Sequence, residues 1–165
     1  EYIHPLLKEG KQLSPAALLS WLNRRLCSYL QQFDLMLVSF AAAVIDTGDM
    51  RMTYSFADHT PFGCIRGGEF LYLSAEGTGL GIIKELSFKE NEFELHRGDK
   101  LLFMSDGLAP RLSIKNKKDP LSQHNIIAEA RNSEDFLQKL NDIILEEKKK
   151  GTFSDDVTLV SAELL

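Results

Sequence analysis

Two acidic stretches at the ends of apolar runs are the residues of this sequence best placed to do chemistry. The first is Ser105-Asp106-Gly107, which closes the unbroken run Leu101-Leu102-Phe103-Met104. The second is Asp155-Asp156, which stands directly before Val157-Thr158-Leu159-Val160. Four apolar residues without alternation suit a strand buried on both faces, and a glycine after an acid marks a turn at its end. An acid placed there costs desolvation energy unless a cation meets it. If the two strands are neighbours in one sheet, Asp106 and Asp155 converge at one end of it. Carboxylates brought together that way repel unless a hard divalent cation lies between them, and oxygen donors of this type suit Mg²⁺ or Mn²⁺. The chemistry to be expected is a metal site. Taken singly, each acid is an ordinary turn or loop residue, as is the Asp58-His59 pair after the Met50 to Phe56 run. It is the placement of two acids at two strand ends that points to an ion.

The elements that must position these acids follow from patterning. Ser14-Pro15 has the form of a helix start, with Ser as N-cap and Pro at the first helical position. Leu18, Leu22, Leu26 and Leu30 then recur every four residues, with Leu19 and Trp21 widening the stripe and Asn23, Arg24, Arg25 and Gln31 falling elsewhere, which predicts a helix packed on a sheet along that stripe. The apolar stretch 35–45, the turn Asp46-Thr47-Gly48-Asp49 and the alternation of Met50, Met52, Tyr54 and Phe56 predict an antiparallel hairpin, its first arm buried on both faces and its second on one. Gly67-Gly68 predicts a second hairpin between Cys64-Ile65-Arg66 and residues 69–73. Gly77, Gly79 and Gly81 alternate in a stretch with no helix pattern after it, so they read as a tight loop rather than a phosphate cradle. Residues 88–95 read as a strand, and Arg97-Gly98-Asp99 as the turn into the central strand.

Beyond Gly107, residues 111–120 carry Lys115, Lys117 and Lys118 without apolar periodicity and read as a surface loop. A short helix fits 125–131. A longer one follows Asn132-Ser133, with Glu134 and Asp135 in its first turn, Phe136, Leu137, Leu140, Ile143 and Ile144 as its apolar residues, Lys148, Lys149 and Lys150 at its end, and Gly151 as the stop. Strands thus run mostly together with helices around them, which is an α+β arrangement with mainly antiparallel sheets.

Composition bounds the partners. The 165 residues, 44% hydrophobic, fit one domain with a real core. A net charge of −5 gives no basic field for nucleic acid. No apolar stretch reaches the roughly 18 to 20 residues that span a bilayer, so no membrane contact is expected, and the start of the chain carries no signal peptide pattern. Cys27 and Cys64 lack metal-binding spacing and read as buried free thiols of a reducing, cytoplasmic setting.

In this order the motifs resemble the PPM family of metal-dependent protein phosphatases, the protein phosphatase 2C class, and most nearly its SpoIIE-like bacterial branch. The resemblance is carried by Ser105-Asp106-Gly107 and Asp155-Asp156-Val157-Thr158. It is supported by Leu13-Ser14-Pro15 with Leu22-Asn23-Arg24-Arg25-Leu26, by Asp46-Thr47-Gly48, by Ala57-Asp58-His59-Thr60-Pro61, by Gly79-Leu80-Gly81 and by Arg97-Gly98-Asp99-Lys100-Leu101-Leu102. It implies an αββα sandwich of two mainly antiparallel sheets flanked by helices, with two Mn²⁺ or Mg²⁺ ions at one end. It implies that Asp106 and Asp155 are metal ligands and so catalytic, supported by Gly107, Asp156 and Thr158. The nucleophile implied is a water bridging two ions about 3.5 to 4 Å apart, attacking phosphoserine or phosphothreonine of a phosphorylated regulatory protein in bacterial signalling.

Two departures from the family pattern bear on these expectations. Its Gly-His-Pro-Pro turn is here Asp58-His59-Thr60-Pro61. Its first metal motif, an Asp followed shortly by Gly-His-Gly, would precede the Ser14 helix and does not occur in residues 1–165. The expectation is therefore that the chain is the C-terminal portion of such a phosphatase domain, lacking N-terminal strands and inactive alone. The alternative is a pseudophosphatase that acts as a protein-binding regulatory module. Missing strands would leave an open sheet edge, from which a homodimer is expected.

Overall fold

The computed structural model describes residues 13–30, 37–108, 133–151 and 155–165. The surface loop and short helix expected within 111–131 fall outside these residues. The elements run α1 (Pro15–Leu30), β1 (Phe40–Asp46), β2 (Arg51–Ala57), β3 (Phe62–Arg66), β4 (Glu69–Leu73), β5 (Asn91–Glu94), β6 (Lys100–Met104), α2 (Ser133–Lys149) and β7 (Leu159–Glu163). They form two antiparallel sheets, β1-β2-β5 and β4-β3-β6-β7, with flanking helices. The class is α+β, as the patterning implied. The chain divides into two compact units, one of residues Glu1–His59 and Ala75–Leu95, the other of Thr60–Ser74 and His96–Leu165.

In the first unit α1 lies against β1 and β2. Ser14 caps it: its Oγ accepts the Ala17 N–H at 3.1 Å and donates to the Glu90 carboxylate. The buried line is Pro15, Leu19, Asn23 and Cys27, one position round from the leucine stripe read in the sequence. Periodicity gave the helix, but the face was decided by Asn23. Its amide donates to the carbonyls of Ile83 and Lys84 at 2.7 and 3.2 Å and its Oδ1 accepts the Gly81 N–H at 2.9 Å, so the helix is keyed to that loop by a buried polar side chain. Leu22 and Leu26 pack at the margin of the cluster of Leu19, Ala57 and Leu80.

The first hairpin forms with its burial reversed from the expectation. β2 buries Met52, Tyr54, Ser55, Phe56 and Ala57, whereas Phe40, Ala43 and Asp46 of β1 are exposed. The reason is order in the sheet: β2 is central and β1 is an edge. The expected strand over 88–95 shortens to Asn91–Glu94, because the Lys89 carbonyl accepts the Ser55 hydroxyl at 2.8 Å instead of joining the ladder. Gly77 sits in the loop as expected; a Cβ there would lie 2.2 Å from the Phe56 carbonyl oxygen.

In the second unit β3 and β4 are joined by Gly67 and Gly68 at φ 57° and 83°, the left-handed pair that a two-residue hairpin needs. β6 is interior in its sheet, between β3 and β7. Leu102, Met104 and Leu108 form a core with Phe136 and Leu140 of α2, the apolar face expected for that helix. Cys27 and Cys64 are both buried and free. Burial, with the charge of nearby Asp99, pushes the Cys64 thiol up to about 11, so it stays protonated at neutral pH.

Asp99 is one of the buried charged residues of this unit, with Lys100 and Glu147. Its carboxylate accepts Arg66 Nε and Nη2 at 2.8 and 2.6 Å and the His96 N–H at 2.8 Å. Burial alone would raise its pKa, but the Arg66 and His96 hydrogen bonds and the Arg66 charge outweigh that and hold it below the usual value. A depressed carboxyl contributes stability that is present above its unfolded pKa of about 4 and is lost as pH falls through its folded value. The Tm advantage of the wild type over Asp99→Asn should therefore be full at pH 6 and shrink below about pH 4. Arg66→Ala should cost roughly 3 kcal/mol, the low end for breaking a buried pair, because the guanidinium side is 28% exposed while Asp99 is 1% exposed. Chemical denaturation at neutral pH checks the figure.

Candidate metal centre

Antiparallel pairing of β6 with β7 places Met104 opposite Leu159, so the end of one strand lies beside the start of the other. The two acidic stretches that leave these strands are held together by three hydrogen bonds. The Ser105 N–H donates to the Thr158 carbonyl at 3.0 Å, the Thr158 N–H donates to Ser105 Oγ at 2.9 Å, and Ser105 Oγ donates to the Asp156 carbonyl at 3.1 Å. The Leu108 N–H returns to the Ser105 carbonyl at 3.1 Å and closes the turn around Asp106 and Gly107. Asp155 Oδ1 accepts the Asp156 N–H at 2.8 Å.

Gly107 shows how tight the approach is. A Cβ built there would lie 2.4 Å from the Asp156 carbonyl oxygen and 3.4 Å from that of Asp155. The backbone of the turn thus rests on the backbone of the acid pair, an approach that only glycine permits. The sequence suggested the convergence through strand adjacency. What it did not show is that the Ser105 side chain carries part of the join. A serine before an acid in a turn is too common a pattern to give that away.

One premise of the sequence reading changes. Asp106, Asp155, Asp156 and Thr158 are all exposed, so no desolvation cost falls on the acids. Their solvent access instead leaves them open to a ligand. A groove of about 950 Å³ adjoins Asp155, Asp156 and Thr158 on the side of α2, where Leu140, Ile144 and Lys148 line it; Asp106 is not among its lining residues.

The turn before β3 is also tied to this strand end: the Thr60 hydroxyl donates to the Met104 carbonyl at 2.7 Å. Thr60, one of the two residues that depart from the family turn, thus makes a bond of its own there. Asp58 and His59 belong to the first unit. Asp58 adopts φ 50° with its N–H on the Gly77 carbonyl at 3.2 Å, and the His59 ring lies 6.0 Å from that of Phe56. Both have the turn role read in the sequence.

In kind, the donors suit a hard divalent cation: exposed carboxylate oxygens on a firmly held backbone. In number they are part of a shell. Among the described residues no three His, Cys, Asp or Glu side chains are grouped to hold a metal ion.

The two sheets and their helices define a fold shared with PP2C-type phosphatase domains. Three solved structures show the likeness. The phosphatase domain of the cell fate determinant SpoIIE from Bacillus subtilis, in a Mn-presoaked form, is 21% identical with a TM-score of 0.57 over 99% of this chain and 72% of that one. The PP2C phosphatase domain of the same protein, with a fragment of its regulatory domain, is 23% identical with a TM-score of 0.58 over 76% and 38%. A serine/threonine phosphatase of S. agalactiae is 17% identical with a TM-score of 0.67 over 91% and 69%. No curated protein matches the chain in sequence. The model of the Stage II sporulation protein E (SpoIIE) family matches residues 4–165, and the chain belongs to that family. No helix among the described residues is long and apolar enough to cross a membrane.

Proposed function

We propose that this chain is the C-terminal portion of a metal-dependent serine/threonine phosphatase domain, with Asp106 and Asp155 as ligands to Mn²⁺ or Mg²⁺ and further ligands supplied by polypeptide outside residues 1–165. The observation that carries the reading is the join between Ser105, Gly107 and the 155–158 segment, which fixes two carboxylate-bearing backbones in contact within a chain of the SpoIIE family. Ions bound there would lower the pKa of a coordinated water and offset the negative charge of a phosphoryl group. The part played by the chain itself is placement. Asp106 is held by a closed turn, Asp155 by its own bond to the Asp156 N–H, and both are open to a substrate approaching along the surface. The substrate class is a phosphoserine or phosphothreonine of a phosphorylated regulatory protein. Asp156 and Thr158 support Asp155 through the backbone.

The test is release of phosphate from a phosphoserine peptide, with and without Mn²⁺, by the 165-residue chain and by the natural polypeptide that contains it. Turnover should require both the metal and the longer polypeptide. Equal activity of the two would refute the placement of further ligands outside this chain. Absence of turnover in a longer polypeptide that does carry an upstream Asp with Gly-His-Gly would favour a protein-binding module instead.

A further inference from the structure

We propose that Ser105 is a positioning residue, its hydroxyl setting the spacing between Asp106 and Asp155; the inference rests on the metal reading above and adds to it the side chain that holds the two ligands in register. The regular ladder between β6 and β7 covers Lys100 to Met104 against Leu159 to Glu163. Residues 155–158 lie before it. Among the described residues, their hydrogen bonds to the β6 end are one backbone bond, from the Ser105 N–H to the Thr158 carbonyl, and two through the Ser105 hydroxyl. A hydroxyl has one hydrogen to give and two lone pairs, so donating to the Asp156 carbonyl while accepting from the Thr158 N–H uses it in both senses at once. The bonded atoms flank Val157 on either side, so the hydroxyl fixes the path of the chain as it leaves the acid pair. Gly107 makes room for that path, since the Asp156 carbonyl oxygen occupies the space a Cβ would need. One group ties the two backbones together and the other leaves the space for them to meet.

Ser105→Ala removes the two side-chain bonds and leaves the backbone bond and the whole β6–β7 ladder in place, so the fold should survive. What it releases is the segment that carries Asp155. Groups that orient metal ligands without touching the ion are commonly worth about 10- to 100-fold in affinity. Ser105→Thr keeps the hydroxyl.

The experiment is a Mn²⁺ titration of the protein, wild type beside Ser105→Ala, Ser105→Thr and Asp106→Asn, followed by melting temperature, together with amide hydrogen exchange at Thr158 without metal. In Ser105→Ala the apparent Mn²⁺ affinity should fall at least about tenfold, the metal-free Tm should move little, and the Thr158 amide should exchange faster. Ser105→Thr should restore both readouts. Unchanged Mn²⁺ affinity in Ser105→Ala would overturn the proposal. So would Thr158 exchange that is the same in wild type and Ser105→Ala. If wild type and Asp106→Asn respond identically to Mn²⁺ while Thr158 exchange does accelerate in Ser105→Ala, the join is real and it is the assignment of the acids as ligands that fails.

Discussion

On the proposed function, Asp106→Ala and Asp155→Ala, each made in the natural polypeptide that contains this chain, should lower kcat on a phosphoserine peptide by on the order of 10³-fold or more. A bound ion supplies several kcal/mol of charge stabilisation to phosphoryl transfer, and each 1.4 kcal/mol or so is a factor of ten. The double variant should be little worse than either single one, because both carboxylates serve the placement of the same nucleophile and such losses do not add. KM should change less than kcat. Asp156→Ala should be milder, since the bond from Asp156 toward Ser105 is made by its backbone carbonyl, which alanine keeps. His59→Ala should be milder too, its ring resting on Phe56 as part of a turn. Steady-state kinetics over the five variants beside wild type checks this, and multiplicative losses in the double variant would mean that the two acids act independently.

Gly107→Ala should break the geometry of the site by another route. The added carbon would stand 2.4 Å from the Asp156 carbonyl oxygen, closer than atoms of that kind approach, and the obstacle is backbone rather than the tip of a flexible side chain. The two acidic segments must separate, which strains the three hydrogen bonds that join Ser105 to Asp156 and Thr158. Overpacking of this sort costs typically 1–3 kcal/mol, or roughly 2 to 12 °C in Tm for a chain of this length. The response of Tm to Mn²⁺ should be lost along with it. Gly68→Ala is the control. Nothing lies within 4 Å of the position, but φ is +83°, so that substitution should cost stability through backbone strain and leave the Mn²⁺ response intact. Equal metal responses in Gly107→Ala and wild type would show that the contact with Asp156 has no bearing on the ion.

The parts of this fold that could be read from sequence are those where local chemistry leaves few options. Gly67-Gly68 permits a left-handed pair and so a tight hairpin. The acids, apolar face, terminal lysines and Gly151 of α2 agree at every position. The run Leu101 to Met104 could hardly be other than an interior strand, and its pairing with β7 brought Asp106 toward Asp155 as the pattern suggested. Errors arose where a tertiary partner made the choice. The buried line of α1 passes through Asn23 because that amide meets the carbonyls of Ile83 and Lys84 sixty residues away, and no helical period shows this. β1 reads as fully buried from its composition, yet it lies at a sheet edge, and order in a sheet is not written in one strand. Asp99 looked like a turn acid; that it is buried against Arg66 depends on β3 pairing with β6. Around the acids, residue types revealed the carboxylates, while the Ser105 hydroxyl and the close approach at Gly107 emerged only from the meeting of two distant segments.

The central claim, that a divalent ion binds between the Asp106 turn and the Asp155 segment, is tested most directly by where Mn²⁺ relaxes the protein's amide resonances. Substoichiometric Mn²⁺ should selectively broaden the backbone signals of Asp106, Gly107, Asp155 and Asp156 in the wild type, and in Asp106→Asn that selective loss should disappear. Broadening centred on any other group of residues, or a pattern unchanged by Asp106→Asn, would contradict it.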